Sequence, residues 1–211
     1  MDVLLAEGGY VDHLGEETVL WTIGPSLRAG WEGRYAIEAV IRGVHVSGAD
    51  FDSLEADEPT DRLSLNGGGE LDDCVLKVVV PAEIRDDPSA RLVLHMELRP
   101  GHPAPLTTAR VLGRHDTCEH TDEEILEVVL GRLNVMLGGA KWRCCLTCGL
   151  SDYSPGGQSF MGMRCHRDAG EQYRACRGKR EYWGIPVTEV VPEFHVCPTW
   201  EPRKPGTGYR G

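Results

Sequence analysis

The residues best equipped for chemistry are cysteines. Six of the eight in this 211-residue chain fall in its last third: Cys144, Cys145, Cys148, Cys165, Cys176 and Cys197. Cys145 and Cys148 form a Cys-x-x-Cys pair. Two thiolates at that spacing in a tight turn reach adjacent corners of a tetrahedron about 2.3 Å from a zinc ion. The fold must bring in two more ligands from Cys165, Cys176, Cys197, His166 and His195, and the preferred set is Cys145, Cys148, Cys165 and Cys197. Three chemistries compete for it. A structural four-thiolate Zn2+ site is favoured, because it needs no other equipment and adds folding energy to a module with little apolar sequence. An iron–sulfur cluster is the alternative cofactor, although the familiar close-packed spacings are absent. A redox Cys-x-x-Cys normally opens a helix after a strand, whereas Cys148 runs into Gly-Leu-Ser-Asp-Tyr-Ser-Pro-Gly-Gly.

His166 and His195 are neighbours of two proposed ligands. With a coordination position left open, zinc there could activate water, and Glu193 could serve as general base. These three are the weak catalytic candidates; the plainer reading makes both histidines bystanders of a saturated structural metal. The deaminase, His-Glu-x-x-His and Gly-x-Ser-x-Gly signatures are all missing. The basic run Arg174-Ala-Cys-Arg177-Gly-Lys179-Arg180, with Tyr173, Tyr182 and Trp183 interleaved, could grip phosphates and stack bases of a single strand. His115, Cys118 and His120 read as a polar loop ahead of a helix.

The run Cys145-Leu-Thr-Cys148-Gly-Leu-Ser151-Asp152-Tyr153-Ser154-Pro155, then Gly162-Met163-Arg164-Cys165, then Glu193-Phe194-His195-Val196-Cys197, is similar to an uncharacterised bacterial family. That domain of unknown function has the pattern Cys-x-x-Cys-x-x-Ser-Asp-Tyr-Ser-Pro and ends in Pro-Gly-Thr-Gly-Tyr-Arg-Gly, as this chain does. Ile41-Arg42-Gly43-Val44 and Asp50-Phe51-Asp52-Ser53-Leu54-Glu55 resemble its N-terminal half. The resemblance implies the same four cysteines as ligands, leaves Cys144 and Cys176 outside, and brings no established activity. His166 and His195 stand where aromatics are usual, and Gly156 replaces the aromatic that commonly follows Ser-Pro.

Such a site must be held by surrounding elements, and charge divides the chain into two parts. Residues 1–140 carry 11 Lys/Arg against 26 Asp/Glu; residues 141–211 carry 11 against 7. The domains expected are therefore an acidic body, 1–140, and a mildly basic cysteine-rich module, 141–211, packed on it. Strands are expected at 17–23, 34–47 with a turn or bulge at Gly43, 62–65, 74–80 and 90–98, because apolar alternation there is bounded by Gly, Asp and Pro clusters. A helix is expected at about 121–138, from a capping box of Thr121 with Glu124 and a stripe through Ile125, Val129, Leu133 and Leu137.

The fold class is thus α+β: a mainly antiparallel sandwich- or barrel-like body, one covering helix and a zinc-organised C-terminal module. A net charge of −11 argues against a dedicated duplex-DNA binder. The N-terminus lacks a signal peptide's basic region, and no apolar run is long enough to cross a bilayer. With no secretion signal, the compartment expected is the reducing cytoplasm. The function expected is a zinc-binding accessory protein for an unknown protein or small-molecule partner. The alternatives are a zinc-dependent, possibly hydrolytic enzyme at His166 and His195, or a nucleic-acid-associated regulator.

Overall fold

A computed structural model of the chain describes residues 3–26, 35–81, 83–84, 87, 89–102, 104–113, 117–122, 126–136, 138, 142–157 and 160–209. Its strands are β1 (Leu4–Asp12), β2 (Gly15–Pro25), β3 (Tyr35–Ile41), β4 (Val44–Gly48), β5 (Glu55–Ala56), β6 (Cys74–Pro81), β7 (Arg91–Leu98), β8 (Leu106–Leu112) and β9 (Thr117–Asp122) in the body. β10 (Ser151–Asp152), β11 (Met163–Cys165) and β12 (Glu189–Val191) follow near the C-terminus. The helices are α1 (Leu126–Met136), α2 (Gly170–Ala175) and α3 (Lys179–Tyr182). The fold is α+β with a β-rich, antiparallel body.

Hairpin logic sets the topology. Arg42 and Gly43 both take positive φ, the backbone that a two-residue turn between right-twisted strands requires. Arg42 tolerates this while its guanidinium pairs with Asp12 at 2.8 Å. Burial works against that carboxylate's charge, but Arg42, Tyr10 and the Leu14 amide outweigh it and hold Asp12 down to about 2. The nine body strands form one sheet in the order β5-β4-β3-β2-β1-β6-β7-β8-β9. Among the described residues its two ends are not paired with each other, so there is no closed barrel, and the barrel-like expectation is corrected to one open nine-stranded sheet.

One face of the sheet supplies the core. Tyr10, Trp21, Ile23, Ile37, Ile41, Leu76, Val78, Leu92, Leu94, Met96 and Val111 are buried together with Val129, Leu130 and Leu133 of α1. β1 carries Gly8 because Trp21 lies across it and donates its indole N–H to the Lys77 carbonyl at 2.9 Å. A Cβ on Gly8 would stand 1.9 Å from that oxygen and 2.6 Å from the indole nitrogen.

The helix differs from its expected start. Thr121 is a strand residue of β9, opposite Thr108, and the two hydroxyls bond at 2.9 Å. Glu124, Ile125 and Leu137 lie outside the described residues, as does His115. Cys118 and His120 belong to β9, so the polar stretch before the helix is an edge strand rather than a loop. Residues 62–65 make only an isolated bridge, Leu65 to Leu71. The C-terminal segment shares the body's core through Trp142, Cys144, Phe160, Met161 and Phe194. The Phe160 amide also donates to Asp50 at 2.6 Å, and Arg143 pairs with Glu83 at 2.8 Å.

Candidate functional site

The Cys-x-x-Cys segment folds as a short 3-10 turn, Cys145–Thr147, with Cys144 at its N-cap. The Thr147 hydroxyl organises it, donating to the Trp142 carbonyl while accepting from the Trp200 indole at 3.2 Å and the Cys144 amide at 3.4 Å. The amides of Cys145 and Leu146 donate to the carbonyls of His195 and Glu193 at 3.0 and 2.8 Å. The turn is thereby tied to the segment that carries Cys197. Beyond it, β10, β11 and β12 form a three-stranded antiparallel sheet that sets Ser151 opposite Cys165 and Asp152 opposite Arg164.

The sulfurs do not make a metal centre. Among the described residues, no three His, Cys, Asp or Glu side chains are arranged to hold a metal ion, and the seven described cysteines are free. This overturns the zinc-organised module and the zinc-binding function, structural and hydrolytic alike. The structure does bring the four together as electrostatic neighbours, Cys148, Cys165 and Cys197 all acting on Cys145, but each sulfur also has apolar packing or a local donor beside it. Cys145 packs with Tyr153, Met163 and Val191, while Cys148 packs with Leu150, Tyr173, Cys176, Tyr182 and Ile185. The Cys148 sulfur accepts from the Leu150 amide at 3.4 Å, the Cys165 sulfur faces Arg167 at 3.7 Å, and the Cys197 sulfur meets the Thr199 hydroxyl at 3.1 Å. Burial pushes the Cys144 thiol up to about 12 and raises Cys145 and Cys165 as well, with the neighbouring cysteines adding to the rise at Cys145. Buried, protonated thiols of this kind behave as small hydrophobes.

The three weak catalytic candidates, His166, His195 and Glu193, each have their own partners. His166 is 0% exposed and both ring nitrogens are engaged. Nδ1 lies 2.8 Å from the Pro186 carbonyl, which can only accept, so Nδ1 carries the proton. Nε2 therefore accepts from the Tyr182 hydroxyl at 3.0 Å. The ring also stacks on Tyr173 with centroids 5.0 Å apart. His195 has Glu189 and Arg167 as charged neighbours. Glu193 is buried, and its carboxylate accepts from the Tyr153 hydroxyl at 2.5 Å.

Burial lowers the pKa of His166 because the cation is disfavoured there, with the Pro186 bond opposing the shift and Arg164 adding to it. As pH falls through about 6.5, the unfolded chain takes up this proton before the folded one does. Stability is therefore complete above that pH and declines on acidification, at a slope of at most about 1.4 kcal/mol per pH unit for this group. Urea unfolding measured across this range should show His166→Asn flattening the decline; an unchanged slope would remove His166 from the account.

What the module does assemble is a buried polar network beneath a cleft. Asp152 is buried, accepting from its neighbour's amide at 2.9 Å and from the Tyr173 hydroxyl at 2.9 Å, with Arg203 at 3.9 Å. Arg203 further donates to the carbonyls of Ser151 and Cys148 at 2.5 and 3.1 Å. The C-terminal Pro-Gly-Thr-Gly-Tyr stretch folds back onto this network. Gly208 has φ of +78°, and a Cβ there would stand 2.6 Å from the Tyr173 hydroxyl. Tyr209 packs on Tyr182 with centroids 5.2 Å apart. Above lies a cleft of about 380 Å³ lined by Asp152, Tyr153, Ser154, Pro155, Gly156, Gly157 and Tyr209.

A family of unknown function, DUF6304, has a sequence model that matches residues 6–151. The chain belongs to that family. The matched stretch of this DUF6304 member runs from β1 through the Cys-x-x-Cys turn and stops as the cleft-forming loop begins. No curated protein and no solved structure matches the chain.

The nucleic-acid reading loses two of its three aromatics, because Tyr173 and Tyr182 are buried at 0% and 1% exposure. Two of its cations are committed as well: Arg174 pairs with Glu201 at 2.7 Å, and Arg177 donates to the Arg174 and Cys176 carbonyls. Sequence reasoning missed Asp152, Arg203 and Tyr209 as a unit. The signal available to it was Asp152 inside the Ser-Asp-Tyr-Ser-Pro motif, a carboxylate on a two-residue strand whose side-chain partners lie 21 and more residues away.

Proposed function

We propose that this DUF6304 member is an accessory binding protein that takes a small molecule in the cleft between the Ser154–Gly157 loop and Tyr209. The observation that carries this reading is the network under the cleft: two buried carboxylates, two tyrosine hydroxyls and an arginine fix the loop that forms its wall. A recess of about 380 Å³ falls within the size range of small-molecule sites. A loop fixed before binding loses little conformational freedom on taking a ligand, which favours affinity. No helix of the described residues is long and apolar enough to cross a membrane, and a membrane partner forms no part of the proposal.

The test is a soluble fragment library screened by amide chemical shifts on the full chain. Binders are expected to move the amides of Ser154, Gly156, Gly157 and Tyr209. A side chain added at Gly157 would stand in open space, with nothing within 4 Å of its Cβ. Gly157→Leu should therefore leave folding intact while weakening the binders about tenfold or more. Binders that shift other regions, or that hold Gly157→Leu as tightly as the parent chain, would refute the assignment.

A further inference from the structure

We infer that the cleft takes a small planar anion, with its ring on the Trp183–Tyr209 side and its charge on Arg164. The inference rests on the binding reading above and names the class of ligand. It begins from an arginine without a carboxylate. Arg164 projects from the same face of the small sheet as Asp152, its register partner. Asp152 is satisfied by Tyr173 and Arg203 instead. Among the described residues Arg164 makes no ion pair, and its Nε is buried with no hydrogen-bond partner. Its guanidinium lies over two aromatic rings, 5.3 Å from the centroid of Trp183 and 5.9 Å from that of Tyr182.

These rings adjoin residues that line the cleft without lining it themselves. Tyr182 touches Tyr209, which lines it. A Cβ on Gly156, also in the lining, would stand 3.9 Å from the Trp183 ring. The absence of a side chain at Gly156 leaves that ring uncovered, and Trp183 is 49% exposed. An exposed indole costs solvation that a planar ligand would relieve by stacking. The surroundings set the sign of the ligand's charge. Lys179 and Arg180 of α3, next to Trp183, are exposed and make no ion pair among the described residues. The nearby acid Glu181 accepts from the Arg177 amide at 2.8 Å, and the three cations Arg164, Lys179 and Arg180 outnumber it. A carboxylate or phosphate would satisfy the Arg164 fork, which suits planar oxyanions; a cation would meet it as a like charge.

Titration of the full chain with benzoate, phenyl phosphate, benzyl alcohol, benzylamine and inorganic phosphate, read at the Ser154–Gly157 and Tyr209 amides, tests this. Benzoate or phenyl phosphate should bind about tenfold or more tightly than benzyl alcohol, and which of the two is preferred separates carboxylate from phosphate ligands. Arg164→Gln should abolish that margin, and Trp183→Ala should weaken both ring-bearing anions. Equal or tighter binding of benzyl alcohol or benzylamine at the same amides would overturn the ligand class while leaving the cleft as the site. Inorganic phosphate binding as tightly as phenyl phosphate would overturn the role of the ring. Binding of a single-stranded oligonucleotide through Arg164 and Trp183, with no response to either small anion, would replace the proposal with a nucleic-acid surface. Silence of these amides to every probe and every library fragment would end both readings.

Discussion

Gly8→Ala is expected to destabilise the protein by about 3 kcal/mol or more, because the added carbon has nowhere to go. Its Cβ would stand 1.9 Å from the Lys77 carbonyl oxygen, a backbone atom of β6, and 2.6 Å from the Trp21 indole nitrogen. Relieving the clash requires β1 to part from β6 or Trp21 to leave its bond to that carbonyl. Either change opens the middle of the nine-stranded sheet, where β1 joins β2 to β6. The comparison is Gly67→Ala, in a turn where an added Cβ meets nothing within 4 Å. Denaturant unfolding of the two variants should show a large loss for Gly8 and little change for Gly67. A loss below about 1 kcal/mol at Gly8 would mean that the strand accommodates a side chain there.

Asp152→Ala should cost about 3 kcal/mol and dismantle the cleft floor. Removing this carboxylate leaves the buried Tyr173 hydroxyl with only the distant Ser151 carbonyl, at 3.4 Å, in place of its 2.9 Å acceptor, and Arg203 without its counter-charge. A poorly satisfied buried donor and a stranded charge are each more costly than the intact pair is stabilising. Arg203 is partly exposed, at 22%, so water recovers some of its share. Asp152→Asn keeps an acceptor for the tyrosine and should retain about half of the lost stability. Near-ultraviolet circular dichroism of the tyrosine cluster would report the local collapse separately from the body. Equal unfolding free energies for the Ala and Asn variants would show that the hydrogen bond contributes nothing beyond packing.

The strands that were legible are those whose residue types carry the signal locally. Cys74–Pro81 and Arg91–Leu98 are dense in Val and Leu, and the Arg42-Gly43 turn interrupts a β-branched run. β1 was hidden because Gly8 and Gly9 break its alternation, and Gly8 is needed there only because Trp21 crosses it from the neighbouring strand. β9 was hidden because it is a polar edge strand, in keeping with the way sheet edges avoid apolar exposure. Its Thr121 also completes a capping-box pattern with Glu124, although its hydroxyl bonds across the sheet to Thr108. A four-residue pattern cannot distinguish a helix cap from a cross-strand pair; the strand opposite decides.

The cysteines carry the same lesson. Their spacing fixes how close two sulfurs could come, but not which way they face. In the fold, Cys145 and Cys148 remain electrostatic neighbours, yet each packs within its own apolar cluster and the Cys148 sulfur takes up the Leu150 amide. Two features were settled by the order of residues alone: an antiparallel β-rich body, because alternation and turn chemistry act over a few neighbours, and a covering helix, because its stripe repeats every turn. The cleft, its buried carboxylate and the exposed indole beside an unpaired arginine were decided by tertiary structure. Each depends on residues 19 to 55 positions apart, whose meeting is governed by packing and burial rather than by any local preference of the chain.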